Sequence, residues 1–320
     1  MRFSPGIYEH AAALIGRTPW EVSRSGALLA EAHRTAWERY RHPLVVAGID
    51  VYNLEPEAYG ALVAEARGNN VPAIARHPCS AIGQLRELPP LEPLQHGRIR
   101  AVLEAGGRLR EACLGAEVRI PVCGPFALAI GLLGLDELLM GLVEEPEELA
   151  AALRHLVRGQ FRFLEVIRAA GLRPLFFESG TTPPLLPVRD FTGVEAPLLR
   201  ELFGHAQALF GEPPPCIIGG DAAPVATALL EAGPGFVINP SETDQAAFME
   251  AARAFPQIHV RVNLPAPLLL SPSFEPVAAA ARGAVALAAT RPNTSVGCGV
   301  VPFETDPAAL LRLRDWVEGA

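Results

Sequence analysis

Short apolar, β-branched runs alternate with amphipathic stretches along nearly the whole chain, and this alternation restricts the fold more than any other feature. Eight runs read as strands: 44–50, 71–76, 118–123, 173–178, 215–220, 235–239, 258–263 and 294–298. Several are continuous apolar runs, the pattern of strands buried on both faces. The stretches 55–67, 94–113, 135–170, 188–210, 224–232, 244–255, 274–289 and 306–317 have helical composition. The third is long enough for two helices, with Pro146 able to open the second at its first turn. Strands alternating with helices imply a parallel sheet. Eight such units favour a closed barrel, so the expectation is an α/β chain forming a single (β/α)8 TIM barrel over residues 1–320, with residues 1–43 as an N-terminal helical extension. The alternative is a doubly wound open sheet; no GxGxxG follows a strand and no P-loop is present to support it.

Composition narrows the chemistry. The chain has 320 residues, half of them apolar, which is enough for a sizeable core. A net charge of −8 disfavours nucleic acid as a partner. The chain contains no lysine. Schiff-base aldolase chemistry, pyridoxal enzymes and P-loop phosphate binding all need a lysine amine and are excluded. The five cysteines, Cys79, Cys113, Cys123, Cys216 and Cys298, are odd in number and widely spaced, which favours a reduced cytoplasm over a disulfide framework. The N-terminus lacks the apolar core of a signal peptide, and Asp136 and Glu137 interrupt the most apolar stretch, 124–143, so no membrane span is expected.

In barrels the chemistry gathers at the C-terminal ends of the strands. Asp50, Tyr52 and Asn53 follow the first predicted strand, and His77 and Cys79 the second. Cys123-Gly124-Pro125 closes the third, and Glu178-Ser179-Gly180-Thr181-Thr182 the fourth. Gly219-Gly220-Asp221 ends the fifth, Asn239 and Ser241 the sixth, Asn263 the seventh, and Gly297-Cys298-Gly299 the eighth. Asp50, Glu178 and Asp221 are the candidate catalytic acids. Tyr52, Asn53, His77, Thr181, Gly219, Gly220, Asn239 and Asn263 are candidate substrate-binding residues, the two glycines because they let backbone approach a ligand closely. Plainer roles stand beside these: Asp50 as a helix cap, Glu178 as an acid raised by its apolar neighbours or paired with an arginine, Cys123 and Cys216 as small buried side chains.

Several segments together resemble the superfamily of uroporphyrinogen decarboxylase and the methylcobamide:coenzyme M methyltransferases. They are Val45 to Asp50 with Glu57 to Gly60, Cys123 to Leu128 with Gly131 to Gly134, Glu178 to Phe191, Ile217 to Asp221, and Ser295 to Pro302. The resemblance spans about residues 5–318. It implies a barrel enzyme moving a methyl group between a corrinoid, or another donor, and a small acceptor. It also implies a corrinoid-carrying protein as a possible partner and makes a homodimer plausible. The thiol-alkylating methyltransferases hold zinc with His-x-Cys and a distant Gly-Cys cysteine. Here Cys298 matches the last ligand, while Ile217 and Gly219 stand at the His and Cys positions; Cys216, Asp221 and Glu178 are the replacement ligands at hand. The alternative is tetrapyrrole decarboxylation, for which Asp50 falls where the decarboxylases have an Asp contacting pyrrole NH groups. Their arginine-rich N-terminal motif is missing, Arg17 and Arg24 being isolated. A third reading is a ligand-binding barrel that has lost its metal.

Overall fold

The computed structural model describes residues 1–319. Ten strands form: β1 Phe3–Gly6, β2 Leu44–Val46, β3 Leu62–Ala64, β4 Ala73–Arg76, β5 Glu117–Cys123, β6 Arg173–Glu178, β7 Pro215–Ile218, β8 Phe236–Ile238, β9 His259–Leu264 and β10 Thr294–Val300. Eight of them make a parallel sheet in the order β1-β10-β9-β8-β7-β6-β5-β2, so chain order runs once around the axis. The ladder is open only between β1 and β2, and helices cover the outside: a nearly closed (β/α)8 barrel, as the alternating pattern predicts. Tyr8, Leu44 and Val46 belong to one apolar cluster at that seam.

The membership of the barrel differs from expectation at two places. The run 71–76 is not a barrel strand; Ala73–Arg76 pairs antiparallel with Leu62–Ala64 in a separate two-stranded sheet. The predicted helix 55–67 is therefore confined to Leu54–Ala58, and Gly60, at φ +100, turns the chain into β3. The missing barrel strand is Phe3–Gly6, which pairs with β10 from Phe3↔Val296 to Gly6↔Val300. A four-residue segment containing Pro5 and Gly6 carries almost no strand signal. The extra N-terminal helices, Glu9–Leu14, Pro19–Ser23 and Gly26–Tyr40, are present, but they lie between β1 and β2 instead of preceding the barrel. The stretch 135–170 divides as expected into Leu135–Glu144 and Pro146–Ala169.

No single helix is long and apolar enough to cross a membrane. Pro125–Leu133 and Leu135–Glu144 would qualify by composition together, but they bend by 111°. The former is almost wholly buried within the fold.

Strand alternation sorts the core into two layers. Leu44, Val46, Leu175, Phe177 and Ile238 fill the barrel interior with Tyr8 and Val51. Val45, Phe176, Cys216, Val237, Val260, Val262, Val296 and Cys298 pack in the larger layer beneath the helices. Gly297 lies on the interior face of β10, opposite Ser4 of β1. A Cβ there would run into the Ser4 carbonyl and come within 2.8 Å of Arg261 Cδ and 2.9 Å of Asn263 Oδ1. Gly297→Ala is expected to destabilise the fold by about 1–3 kcal/mol, because backbone of β1 has to move. A wild-type midpoint in urea denaturation would show that the seam is softer than this.

Candidate functional site

The C-terminal ends of the strands surround a cavity of about 570 Å³. Its wall takes Tyr8 after β1, the loop 49–53 after β2, Phe177 of β6, Ile217 to Gly220 at the end of β7, Arg261 and Asn263 of β9, and Gly299 and Val300 of β10. Both tyrosines set their rings edge-on to Phe177, at 6.0 Å for Tyr8 and 5.8 Å for Tyr52, so the wall is aromatic on that side.

Six of the residues expected from sequence meet here: Asp50, Tyr52, Asn53, Gly219, Gly220 and Asn263. Asp50 is tightly held. Arg98 grips it through both terminal nitrogens, Nη1 donating to Oδ1 at 2.5 Å, and Asn53 Nδ2 donates to Oδ2 at 3.0 Å. Arg98 Nε donates to Glu57 at 2.6 Å, and Glu57 also pairs with Arg24. The guanidinium pKa of Arg98 is raised: burial lowers it, but the Asp50 and Glu57 charges outweigh burial. Burial raises Tyr52 far above the ordinary phenol value, with the nearby Glu178 charge adding to it, and burial does the same to Tyr8. Both phenols are hydrogen-bond donors and not bases.

The remaining candidates lie elsewhere. Glu178 follows Phe177 and so faces outward, fully buried under the helices. Its Oε1 accepts from Ala127 N at 2.8 Å and Ser179 N at 3.0 Å. The N-cap residue of helix Pro125–Leu133 is Gly124, which has no side chain, and Glu178 supplies the cap from the neighbouring strand. Glu195, brought in by the π-helical turn Phe191–Glu195, is its buried neighbour. Glu178 Oε2 and both Glu195 carboxyl oxygens have no donor among the described residues. A proton held by one Glu195 oxygen and donated to Glu178 Oε2 satisfies two of the three. Burial raises both groups, Glu178 to about 7 and Glu195 further still because of the Glu178 charge.

Asp221 Oδ1 accepts from Ala223 N at 3.1 Å and Asp244 N at 3.0 Å, clasping two strand-end loops together. His77 is exposed, its Nδ1 2.9 Å from the Gly131 carbonyl. Thr181 and Asn239 are fully buried with side-chain polar atoms unpaired, and neither lines the cavity. Cys216 and Cys298 both pack in the layer under the helices, and burial raises both thiols. No group of three His, Cys, Asp or Glu side chains is placed to hold a metal among the described residues. These residues do not fit a zinc ion.

Sequence reasoning missed Arg98, which no spacing links to Asp50, and Tyr8 and Glu9, hidden behind the unrecognised β1. It also missed Arg261, for which a signal existed. In 258–263 (IHVRVN) Val260 and Val262 alternate with His259, Arg261 and Asn263, so Arg261 shares the inward face of Asn263.

A (β/α)8 barrel with a pocket at the strand ends is the arrangement in which barrel enzymes carry their sites. This chain belongs to the uroporphyrinogen decarboxylase (URO-D) family, whose sequence profile matches residues 6–319. Its fold is similar to that of a methyltransferase from Methanosarcina mazei, with a TM-score of 0.81 over 99% of this chain and 93% of that one, at 18% sequence identity. No curated protein sequence matches significantly.

Two outcomes follow from the buried charges. Arg98→Met strands Asp50, leaves Glu57 with Arg24 alone, and is expected to cost about 3–5 kcal/mol in denaturant unfolding. An effect below about 1 kcal/mol would show that the pair is hydrated. The Glu178–Glu195 pair sets the sign of a pH dependence. The folded protein keeps a proton that the unfolded chain releases above the ordinary carboxyl value of 4.5, so stability falls as pH rises toward about 7. Glu195→Gln keeps a donor without the charge and is expected to make that fall shallower, gaining on the order of 1–3 kcal/mol at about pH 8. Parallel stability–pH curves for variant and wild type would exclude a shared proton.

Proposed function

We propose that this protein is an enzyme that transfers a methyl group to or from a small organic molecule seated in the strand-end cavity. The observation that carries the reading is the shape and lining of that cavity. It has apolar and aromatic walls, a fixed acceptor in Asp50, and an approach from the mouth of the barrel. Methyl transfer is a displacement along one line, so acceptor and carrier must be held in that line. A well with its polar groups fixed inside holds the acceptor and leaves the mouth to the carrier. The cavity, about 570 Å³, suits a small ligand and not a whole corrinoid macrocycle. A corrinoid would therefore serve as a methyl carrier at the rim, delivered by a partner protein. Methyl-transfer activity in a barrel of similar fold supports the same reading. Thiol activation by zinc forms no part of it, because Cys216 and Cys298 lie under the helices.

Within the site, Asp50 accepts a hydrogen bond from an N–H or O–H of the bound molecule; its bidentate pairing with Arg98 fixes its direction. Tyr52 and Tyr8 donate from the aromatic wall. Asn263 offers an unpaired Oδ1.

A second reading, decarboxylation of a tetrapyrrole, is favoured by Asp50 lining the cavity where decarboxylases of the family carry an Asp facing pyrrole NH groups. The two separate in one set of assays. Methylcobalamin is followed by its visible spectrum with thiols, phenols and small carboxylic acids as acceptors, and CO2 release is measured with uroporphyrinogen. Acceptor-dependent demethylation is expected, with Asp50→Asn lowering kcat/KM about a hundredfold. Porphyrinogen decarboxylation without demethylation would transfer the assignment to the second reading, and inertness in both would remove the enzyme reading.

A further inference from the structure

Among the buried arginines, Arg261 alone has neither an acid nor a carbonyl as partner among the described residues. Arg98 holds Asp50 and Glu57, Arg119 pairs with Glu117 and Glu212, and Arg291 donates to the Phe255 and Ile258 carbonyls. Arg261 is 3% exposed, and the contact it makes is Nη1 to the Ser4 hydroxyl at 3.2 Å. Its Nε is buried without an acceptor, and no salt bridge reaches it among the described residues. It lines the cavity on the face of β9 shared with Asn263 and stands over the apolar barrel interior, beside Ile217 and Ile238. Gly297 makes room for its stem. An unpaired guanidinium in such a place is costly, and burial pushes its pKa down to about 10, so the charge persists at neutral pH. A fold that keeps an uncompensated cation at the floor of a ligand cavity leaves its counter-ion to the ligand.

We propose that Arg261 is the anchor for the carboxylate of a small organic monocarboxylic acid, which is the substrate class of this cavity. The planar guanidinium matches a carboxylate fork, and its free edge is the part not spent on Ser4. One cation calls for one negative charge. Glu242 also lines the cavity and opposes a multiply charged phosphate, as does the ionised fraction of Glu9, whose pKa burial raises to about 7. Ile49, Val51, Phe177 and Ile238 face the organic body of the ligand. With the carboxylate on Arg261, a hydroxyl or amine on the ligand finds acceptors in Asp50 and Asn263, which line the same cavity. The inference rests on the cavity being the substrate site and not on the reaction assigned to it.

The test is ligand binding by saturation-transfer NMR on the intact protein. Benzoate, phenylacetate and butyrate are each compared with the matching amide and with phenyl phosphate, on wild type, Arg261→Gln and Arg261→Lys. The acids are expected to bind at least about tenfold more tightly than the amides and more tightly than phenyl phosphate. Arg261→Gln is expected to lose about thirtyfold or more of that affinity, with Arg261→Lys in between. Because the charge is uncompensated in the free protein, Arg261→Gln is expected to unfold no more easily than wild type, which separates lost binding from lost structure. Equal binding of acids and amides, tighter binding of phenyl phosphate, acid binding that survives Arg261→Gln, or no binding by any probe would each overturn the proposal. Acid binding without methyl transfer would leave it standing and remove the reaction instead.

Discussion

A β-strand gives only alternate side chains to each face, and the whole site hangs on that restriction. In β9 it sends Arg261 and Asn263 into the barrel and Val260 and Val262 to the helices. In β6 it turns Phe177 to the cavity and Glu178 away from it. In β10 it gives Gly297 and Gly299 to the interior and Cys298 to the helix layer. The Gly-Cys-Gly segment thus contributes to the site through its glycines: Gly297 clears space for Arg261 and Asn263, and Gly299 lines the cavity. The thiol between them is a packing group.

Three buried sets of charge are handled in three ways. Asp50 and Arg98 neutralise one another in a bidentate pair that Asn53 and Glu57 complete. Glu178 and Glu195 have no cation, and like charges at that depth cannot both ionise, so Glu195 keeps its proton while Glu178 caps a helix N-terminus. Arg261 has no internal answer at all. The first two arrangements close on themselves and hold the loops and helices around the mouth in place. The third is complete only with something in the cavity.

Much of the architecture was legible because periodicity is local. The long helices and seven of the eight barrel strands follow from runs of residues that need no knowledge of the rest of the chain. Phe3–Gly6 was not legible, since its strand character comes entirely from the β10 edge it pairs with. The segment 71–76 looked like a barrel strand because the same apolar run serves an antiparallel hairpin equally well. The candidate acids show the same division. Asp50 lies at a barrel strand end and reaches the cavity, whereas Glu178 and Asp221 lie at strand ends too and became a helix cap and a loop clasp.

The sequence by itself determined the parallel α/β class, the absence of lysine chemistry and the set of polar residues available at the strand ends, because composition and period need no partner to be read. Tertiary structure decided which of those residues share a space. Pairing of β1 with β10 brings Tyr8 and Glu9 to the mouth, 48 residues of separation are erased when Arg98 meets Asp50, and strand register aims Arg261 inward with no acid beside it. Such meetings depend on the closure of the barrel, where residues far apart in the chain become neighbours and the charge each one sees is set by all the others.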